Sequence, residues 1–431
     1  MTELLIESLD QEGRGITHRD GKTVFVEGAL PGERVVISVY RKKPSYENAT
    51  VSRVVKASAA RVPPRCAYYG RCGGCSGQHI DLRTQVAAKQ RVLEDSLRHI
   101  GKVEAEQILP AIHGIGWEYR HRARLAVRYV PKKGGMLVGF HEKHSSYVAD
   151  MKSCEVLPSR ISALLEPLRR LLADVSIRQR IPQIELAVGE DADALVFRIL
   201  ESLSQKDELA LKSFADTHRV RIYLQRGGPE TASAFYPENP AELFYVLPEF
   251  EVSIAFAPTD FTQVNQAVNQ VLVRRALSLL DPRPGERIAD MFCGVGNFSL
   301  PIARCGAAVI GVEGSKRLVA QAQRNAERNG LSDRAHFVVE DLFKIDQRSL
   351  TTLGRLDAML IDPPRDGATE LIKALDSAPP PRIVYVSCNP ATLARDAGLL
   401  VHGLQYRLRA VGVVNMFPHT AHVESMAVFG R

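Results

Sequence analysis

Over residues 1–60, apolar and polar positions alternate in short runs broken by glycine: LLIESLD, GRGITHRDGKTVFVEGAL, ERVVISVYRKK and ATVSRVV. Period-two alternation with closely spaced turn signals predicts short strands, and their regular spacing predicts a small OB-like β-barrel. The extended segment ARVPPRC then reads as a linker. A helix is expected from Leu82 to about Ile100, with Val86, Leu93 and Leu97 on one side and Lys89, Arg91 and Arg98 elsewhere. From Trp117 to about Phe256 the pattern is mostly of strands, including RARLAVRYV, IELAVGE, ALVFRIL and RIYLQRG, which suits an α+β unit. From Arg275 onward, short β-branched runs alternate with helical stretches. That alternation implies a parallel, doubly wound α/β sheet of Rossmann-like type. The chain therefore divides into a barrel over 1–60, a central α+β domain over 61–260 and an α/β domain over 261–431. It has no internal repeat and no low-complexity tract.

Composition narrows this picture only in part. A chain of 431 residues is too long for one ordinary core. No apolar run reaches the length of a membrane span. The acidic start MTELLIESLDQEGRG lacks the positive n-region of a signal peptide, so no membrane association and a cytoplasmic location are expected. The net charge of +7 suits a polyanionic partner, although a basic surface can simply aid solubility. Arg14, Arg19, Lys22, Arg41, Lys42, Lys43 and Arg53, with Tyr40 and Tyr46 among them, would let the barrel hold RNA by phosphate contact and stacking. An ordinary solvated rim explains the same charges. Tyr119–Arg124, YRHRAR, is a second such stretch, equally readable as a charged strand edge.

Candidate chemistry concentrates at strand ends. Asp290-Met291-Phe292-Cys293-Gly294-Val295-Gly296-Asn297 follows the first α/β strand, and its glycines permit a tight turn close to a ligand. Glu313 ends the second strand, Asp341 the third and Asp362-Pro363-Pro364-Arg365 the fourth. Open α/β sheets bind ligands at such an edge. A dinucleotide and S-adenosylmethionine both suit the layout. Ser299 replaces the third glycine of a dinucleotide fingerprint, and Asp290 would repel a pyrophosphate. An acid there favours the cationic S-adenosylmethionine.

The fifth strand, Ile383–Val386, runs into Ser387-Cys388-Asn389-Pro390, where proline stops the ladder and Thr392 can cap a following helix. Cys388 is thereby set at the same edge, although a small apolar filler is the bland alternative. Methyltransferases acting on amino nitrogens often carry an aromatic ring where this chain has Arg365. A thiolate beside the pocket suits a different target: C5 of uracil, which becomes nucleophilic only after addition at C6. The adduct then needs a base to remove the C5 proton, and Glu424 in HVESM is available.

SCNPATLARD, DPPRDG, DMFCGVGNFSLPIA, GVEG, DFTQVNQAVN and HVESM together resemble the RNA uracil-C5 methyltransferases, over essentially the whole chain. EGRGITHRDGKTVFVEGALPGERV resembles the TRAM domain, an RNA-binding barrel. The resemblance implies that Cys388 is the nucleophile and Glu424 the base. It also implies that Gln263, Phe292, Asn297, Glu313, Asp341 and Asp362 form the S-adenosylmethionine pocket of a SAM-dependent methyltransferase domain. Asp362 is equally placed to touch the uracil edge, and relatives can carry asparagine at 341.

Cys66, Cys72, Cys75 and Cys154 remain. In a reducing compartment, four thiols point to metal ligation rather than disulfides, and the spacing alone leaves zinc and an iron–sulfur cluster open. The resemblance implies a [4Fe-4S] cluster. Four cysteine ligands close the site and the reaction needs no redox chemistry, so the cluster is expected to organise the central domain and shape RNA contacts. Barrel and cluster cysteines together resemble the branch acting on 23S rRNA, as a monomer without an obligate protein partner. An amino-nitrogen methyltransferase and a non-catalytic ribosome-assembly factor are the rival readings.

Overall fold

The computed structural model describes residues 3–431, so the first two residues of the expected barrel lie outside the described residues. The N-terminal strands form one six-stranded sheet, whose long members are Gly15–Arg19, Lys22–Glu27, Arg34–Lys42 and Tyr46–Lys56. Their inward positions, Val24, Val26, Val35 and Ala49, bury a small core with Ile6 and Ala29. The period-two alternation puts every second residue on that face.

The central sheet also has six strands, in the spatial order Ser233–Tyr236, Val220–Gln225, Asp193–Arg198, Gln183–Val188, Arg122–Val130, Gly135–Gly139. Helices Leu165–Asp174 and Gln205–His218 bury Leu165, Leu168, Leu172, Leu211 and Phe214 in its core.

The C-terminal sheet has eight strands, in the order Ala335–Val339, Ala308–Glu313, Arg287–Met291, Ala358–Ile361, Arg382–Ser387, Glu424–Gly430, Arg407–Val414, Gln107–Ile108. The first five are parallel. Successive residues enter cores on opposite faces: Ile288 and Val309 one side, Ala289 and Ile310 the other. A sheet covered on both faces needs apolar residues at every position, hence continuous runs rather than alternation. Glu424–Gly430 is antiparallel to both of its neighbours, pairing Ser387 with Ser425 and Val414 with Glu424. Its first residue therefore lies at the carboxyl edge of the parallel strands.

Helix Leu82–Ser96 begins on Asp81, whose carboxylate accepts from the Arg83 and Thr84 amides at 3.0 and 3.1 Å, and continues as a π-turn over Leu97–Gly101. It packs on strand Arg407–Val414 and on the helix Pro390–Gly398, with Leu93 and Leu97 in the C-terminal core. Lys89, expected away from the apolar side, is buried on the inner face together with Gln85. The amino half of this helix meets a polar loop rather than the apolar sheet, so buried polar side chains find partners there.

Candidate active site

The carboxyl edge of the parallel strands opens into a cavity of about 510 Å³. Its lining includes all eight residues that sequence reasoning assigned to cofactor and catalysis: Gln263, Phe292, Asn297, Glu313, Asp341, Asp362, Cys388 and Glu424. Each arrives there for a local reason. Gly294 and Gly296 have φ of +55° and +98°, values that let the chain turn back over the strand end. Phe292, just before them, also sits at φ +64°, an uncommon conformation for a non-glycine residue and one that collects at functional sites. Its ring packs edge-on against Phe343 at 5.7 Å.

Glu313 accepts from the Gly294 amide at 3.3 Å and the Ser315 amide at 2.9 Å, tying the glycine turn to the second strand end. Asp341 is exposed and pairs with Lys344 at 3.1 Å; that contact holds its carboxyl below the ordinary range. Asn297 exchanges amide hydrogen bonds with Asn269 at 2.9 and 3.1 Å and accepts from the Tyr245 hydroxyl at 2.8 Å. Neither partner was singled out from the sequence. Both come from elements that precede the alternating region, the hairpin at Leu243–Phe256 and the helix Gln266–Leu280.

The turn after the fifth strand corrects one expectation. Asn389, not Thr392, caps helix Pro390–Gly398, accepting from the Ala391 amide at 3.1 Å with Pro390 in the first turn. The Thr392 hydroxyl and the Asn389 side-chain Nδ2 instead donate to the Arg365 carbonyl at 3.2 and 3.1 Å. These bonds join the Asp362–Arg365 turn to the Cys388 turn. Arg365 also approaches the His422 ring at 3.4 Å.

Burial dominates the electrostatics. It pushes the half-buried Cys388 thiol up to about 11; the Glu424 and Asp362 carboxyls add to the rise, and Arg365 opposes it. Glu424 is buried and held well above the ordinary carboxylate range, first by burial and then by Asp362. Asp362 is raised to about 7 by burial and by Asp290. Asp290 itself is raised to about 7 by burial, with the Ser299 hydroxyl opposing. One Asp290 carboxylate oxygen has no hydrogen-bond partner. Acidic groups whose ionised form burial disfavours in this way suit a cationic ligand, whose arrival would favour their charge.

These shifts set a stability profile. Asp290 and Asp362 bind protons more tightly in the folded than in the unfolded chain, where carboxyls titrate near 4. Stability therefore falls as pH rises from the unfolded value towards about 7 and levels off above it. We expect the melting temperature of the ligand-free protein to drop between about pH 5 and pH 7.5, and Asp362→Asn to flatten the drop. A melting temperature that climbs across this window contradicts the assignment.

Phe261 was missed. It lies on the loop before Gln263, is 72% exposed and still lines the cavity. A large exposed aromatic at a pocket mouth is the signal that could have found it, but exposure is invisible in sequence.

The four early cysteines line a second cavity, of about 560 Å³, shared by barrel residues Arg14 and Glu27, by Arg120 and Lys143, and by His422. His422 also borders the first cavity. Cys154 thus joins three thiols that lie far from it in sequence. Burial raises the Cys75 thiol to about 12 and Cys154 to about 11, and neighbouring cysteines add to both. Four thiols around one cavity are a donor set that fits iron or zinc. Among the described residues, however, no three His, Cys, Asp or Glu side chains stand in an arrangement that could hold a metal ion. Among the same residues, no helix is long and apolar enough to cross a membrane.

The sequence profile of tRNA (uracil-5-)-methyltransferases matches residues 83–431, and that of the TRAM domain matches residues 2–51. A protein of Nitrosospira multiformis, named 23S rRNA (uracil(1939)-C(5))-methyltransferase RlmD, is 61% identical over 430 residues, covering 99% of this chain and 98% of its own. A protein of the same name from Aromatoleum aromaticum is 59% identical, with both chains covered in full. Among solved structures, the Pyrococcus abyssi tRNA (uracil-54, C5)-methyltransferase in complex with S-adenosyl-L-homocysteine superposes with a TM-score of 0.75. It is 25% identical and covers 99% of this chain and 100% of that one.

Proposed function

The chain belongs to the uracil-5-methyltransferase family, and from that membership we infer that it methylates C5 of a uridine in 23S rRNA, the target in the names of its full-length relatives. It is an enzyme dependent on S-adenosylmethionine. The observation that carries the chemistry is the antiparallel register that pairs Ser387 with Ser425 and so sets Cys388 beside Glu424 at the cofactor cavity.

When bound, S-adenosylmethionine supplies an electrophilic methyl group; Glu313, Asp341, Asn297, Gln263 and Phe292 are the residues to hold it. Cys388 gives its proton to solvent water, and the thiolate sulfur adds to C6 of the uracil, moving the C5–C6 π pair into the ring enolate and making C5 electron-rich. Once C5 carries the methyl group, Glu424 removes the remaining C5 proton. The C–H electron pair restores the C5–C6 double bond and expels the Cys388 sulfur. A buried carboxylate of raised basicity is suited to taking a carbon-bound proton. Asp362 is placed to hold the edge of the base. C6 cannot be reached inside a stack, so the uridine is turned out into the cavity. Phe261 offers it, or a neighbour, a ring to stack on. Phe261→Ala is expected to raise KM for RNA by about 5- to 150-fold, as the loss of about 1–3 kcal/mol of stacking implies, with kcat less affected. An unchanged KM contradicts that role.

The cysteine cavity takes a [4Fe-4S] cluster, ligated by Cys66, Cys72, Cys75 and Cys154. What supports this is the convergence of four thiols on the lining of one cavity. Protein purified without oxygen is expected to be brown and to carry about four irons per chain. Cys72→Ala should lose the colour and most of the iron. Zinc in place of iron overturns the assignment. The barrel binds the RNA backbone, and the protein works in the cytoplasm as a monomer. A single 5-methyluridine formed in 23S rRNA by the pure protein tests the function directly.

A further inference from the structure

Glu424 is the first residue of its strand, and its partner Val414 is the last of the neighbouring one. Strand ends fray first, so the ladder alone does not hold Glu424 still. What closes this end is the segment Asn415–Thr420, and its polar groups are taken by residues far away in the chain. Lys89 donates to the Asn415 side-chain oxygen and to the Phe417 carbonyl, both at 2.8 Å. Gln85 accepts from the His419 amide at 2.7 Å, while its own amide nitrogen lies 2.8 Å from the Ile80 carbonyl and 3.1 Å from His419 Nδ1. Tyr119 donates to the Pro418 carbonyl at 2.9 Å. The Ser76 and Gly77 amides, next to Cys75, both donate to the His419 carbonyl at 2.9 Å. Thr420 passes the grip on, donating to the Phe417 carbonyl and accepting from the His422 amide two residues before Glu424.

Lys89 is the informative member. It is 5% exposed, and no ion-pair partner accompanies it among the described residues. Burial pulls the Lys89 amine down to about 7, and an apolar side chain of the same length would serve packing better. What the amine adds is direction, since its N–H groups reach two acceptors of one segment at once.

We propose that Lys89 and Gln85 are positioning residues for proton abstraction: from a helix outside the C-terminal strands they hold Asn415–Thr420 and so set where Glu424 stands. The proposal rests on Glu424 being the base. Its effect falls on the step after methyl transfer, because Cys388 sits on a turn tied instead to Arg365.

The test uses the full-length enzyme with its cluster, a 23S rRNA fragment and labelled S-adenosylmethionine. Methyl transfer in one turnover, the denaturant-stable protein–RNA adduct and steady-state kcat are measured for wild type, Lys89→Met, Lys89→Arg, Gln85→Leu and Glu424→Gln. Lys89→Met is expected to keep single-turnover methyl transfer within about fivefold, to lower kcat by about 10- to 100-fold, and to accumulate adduct with little change in KM. Lys89→Arg should recover part of the loss. Trp117, the chain's only tryptophan, stacks on His419 at 4.0 Å, so its emission should change in Lys89→Met and not in Glu424→Gln. Should Lys89→Met fail to fold, Gln85→Leu is read by the same criteria. Unchanged kcat, or equal losses of methyl transfer and turnover without adduct, overturns the proposal. If Glu424→Gln itself forms no adduct and turns over normally, the base assignment fails instead.

Discussion

Cys388→Ala is expected to lower methyl transfer to RNA by at least about 10⁴-fold, or about 5 kcal/mol of barrier, while leaving RNA affinity within a few-fold of wild type. Uracil C5 gains its nucleophilicity only through addition at C6, and no other thiol stands at this edge in a comparable position. Cys293 also lines the cavity but is fully enclosed, and its thiol is held well above the ordinary range, first by burial and then by Asp290 and Glu313. Cys388 is half-buried at a turn that the Asn389 cap and the Arg365 carbonyl hold in place. Binding and single-turnover transfer measured on the same variant separate the nucleophile from a packing residue. Transfer at a tenth of the wild-type rate would make Cys388 a filler and leave the addition step without its group.

Glu424→Gln should behave differently. The amide keeps the shape of the side chain but cannot take a proton, so addition and methyl transfer proceed and the adduct is not resolved. The expected result is one methyl group per enzyme, a protein–RNA species stable to denaturation, and a kcat lower by about 10²- to 10⁴-fold. The species must be absent from the double variant with Cys388→Ala. Gel mobility with label on both protein and RNA reads this out. Free turnover in Glu424→Gln would move the base elsewhere; among the groups at the cavity, Asp362 would then be the next to test.

Much of this site was legible because strand ends are readable. Short β-branched runs marked where each parallel strand stops, and the residue at each stop fell at one edge. Cys388 became interesting from that placement alone. Glu424 did not: its arrival beside Cys388 depends on a last strand that runs antiparallel, which no local pattern reveals. It was offered by the need for a base and by the family resemblance rather than by its placement, and the register supplies the physical reason. Asn269 and Tyr245 escaped notice because they hold Asn297 from elements read as belonging to other parts of the chain. Lys89 was misjudged for a related cause. A charged position on an amphipathic helix normally faces water, and here it meets the carbonyl-rich segment 415–420 instead. Contacts between residues more than 300 positions apart are settled by packing, and helical periodicity carries no trace of them.

The most direct test uses ribosomal RNA from cells lacking this protein, incubated with the pure enzyme and labelled S-adenosylmethionine and mapped by mass spectrometry, with Cys388→Ala in parallel. The account predicts 5-methyluridine at a single site of 23S rRNA, formed by the wild-type enzyme and absent with the variant. Label on a nitrogen, on tRNA alone, or undiminished with Cys388→Ala would contradict it.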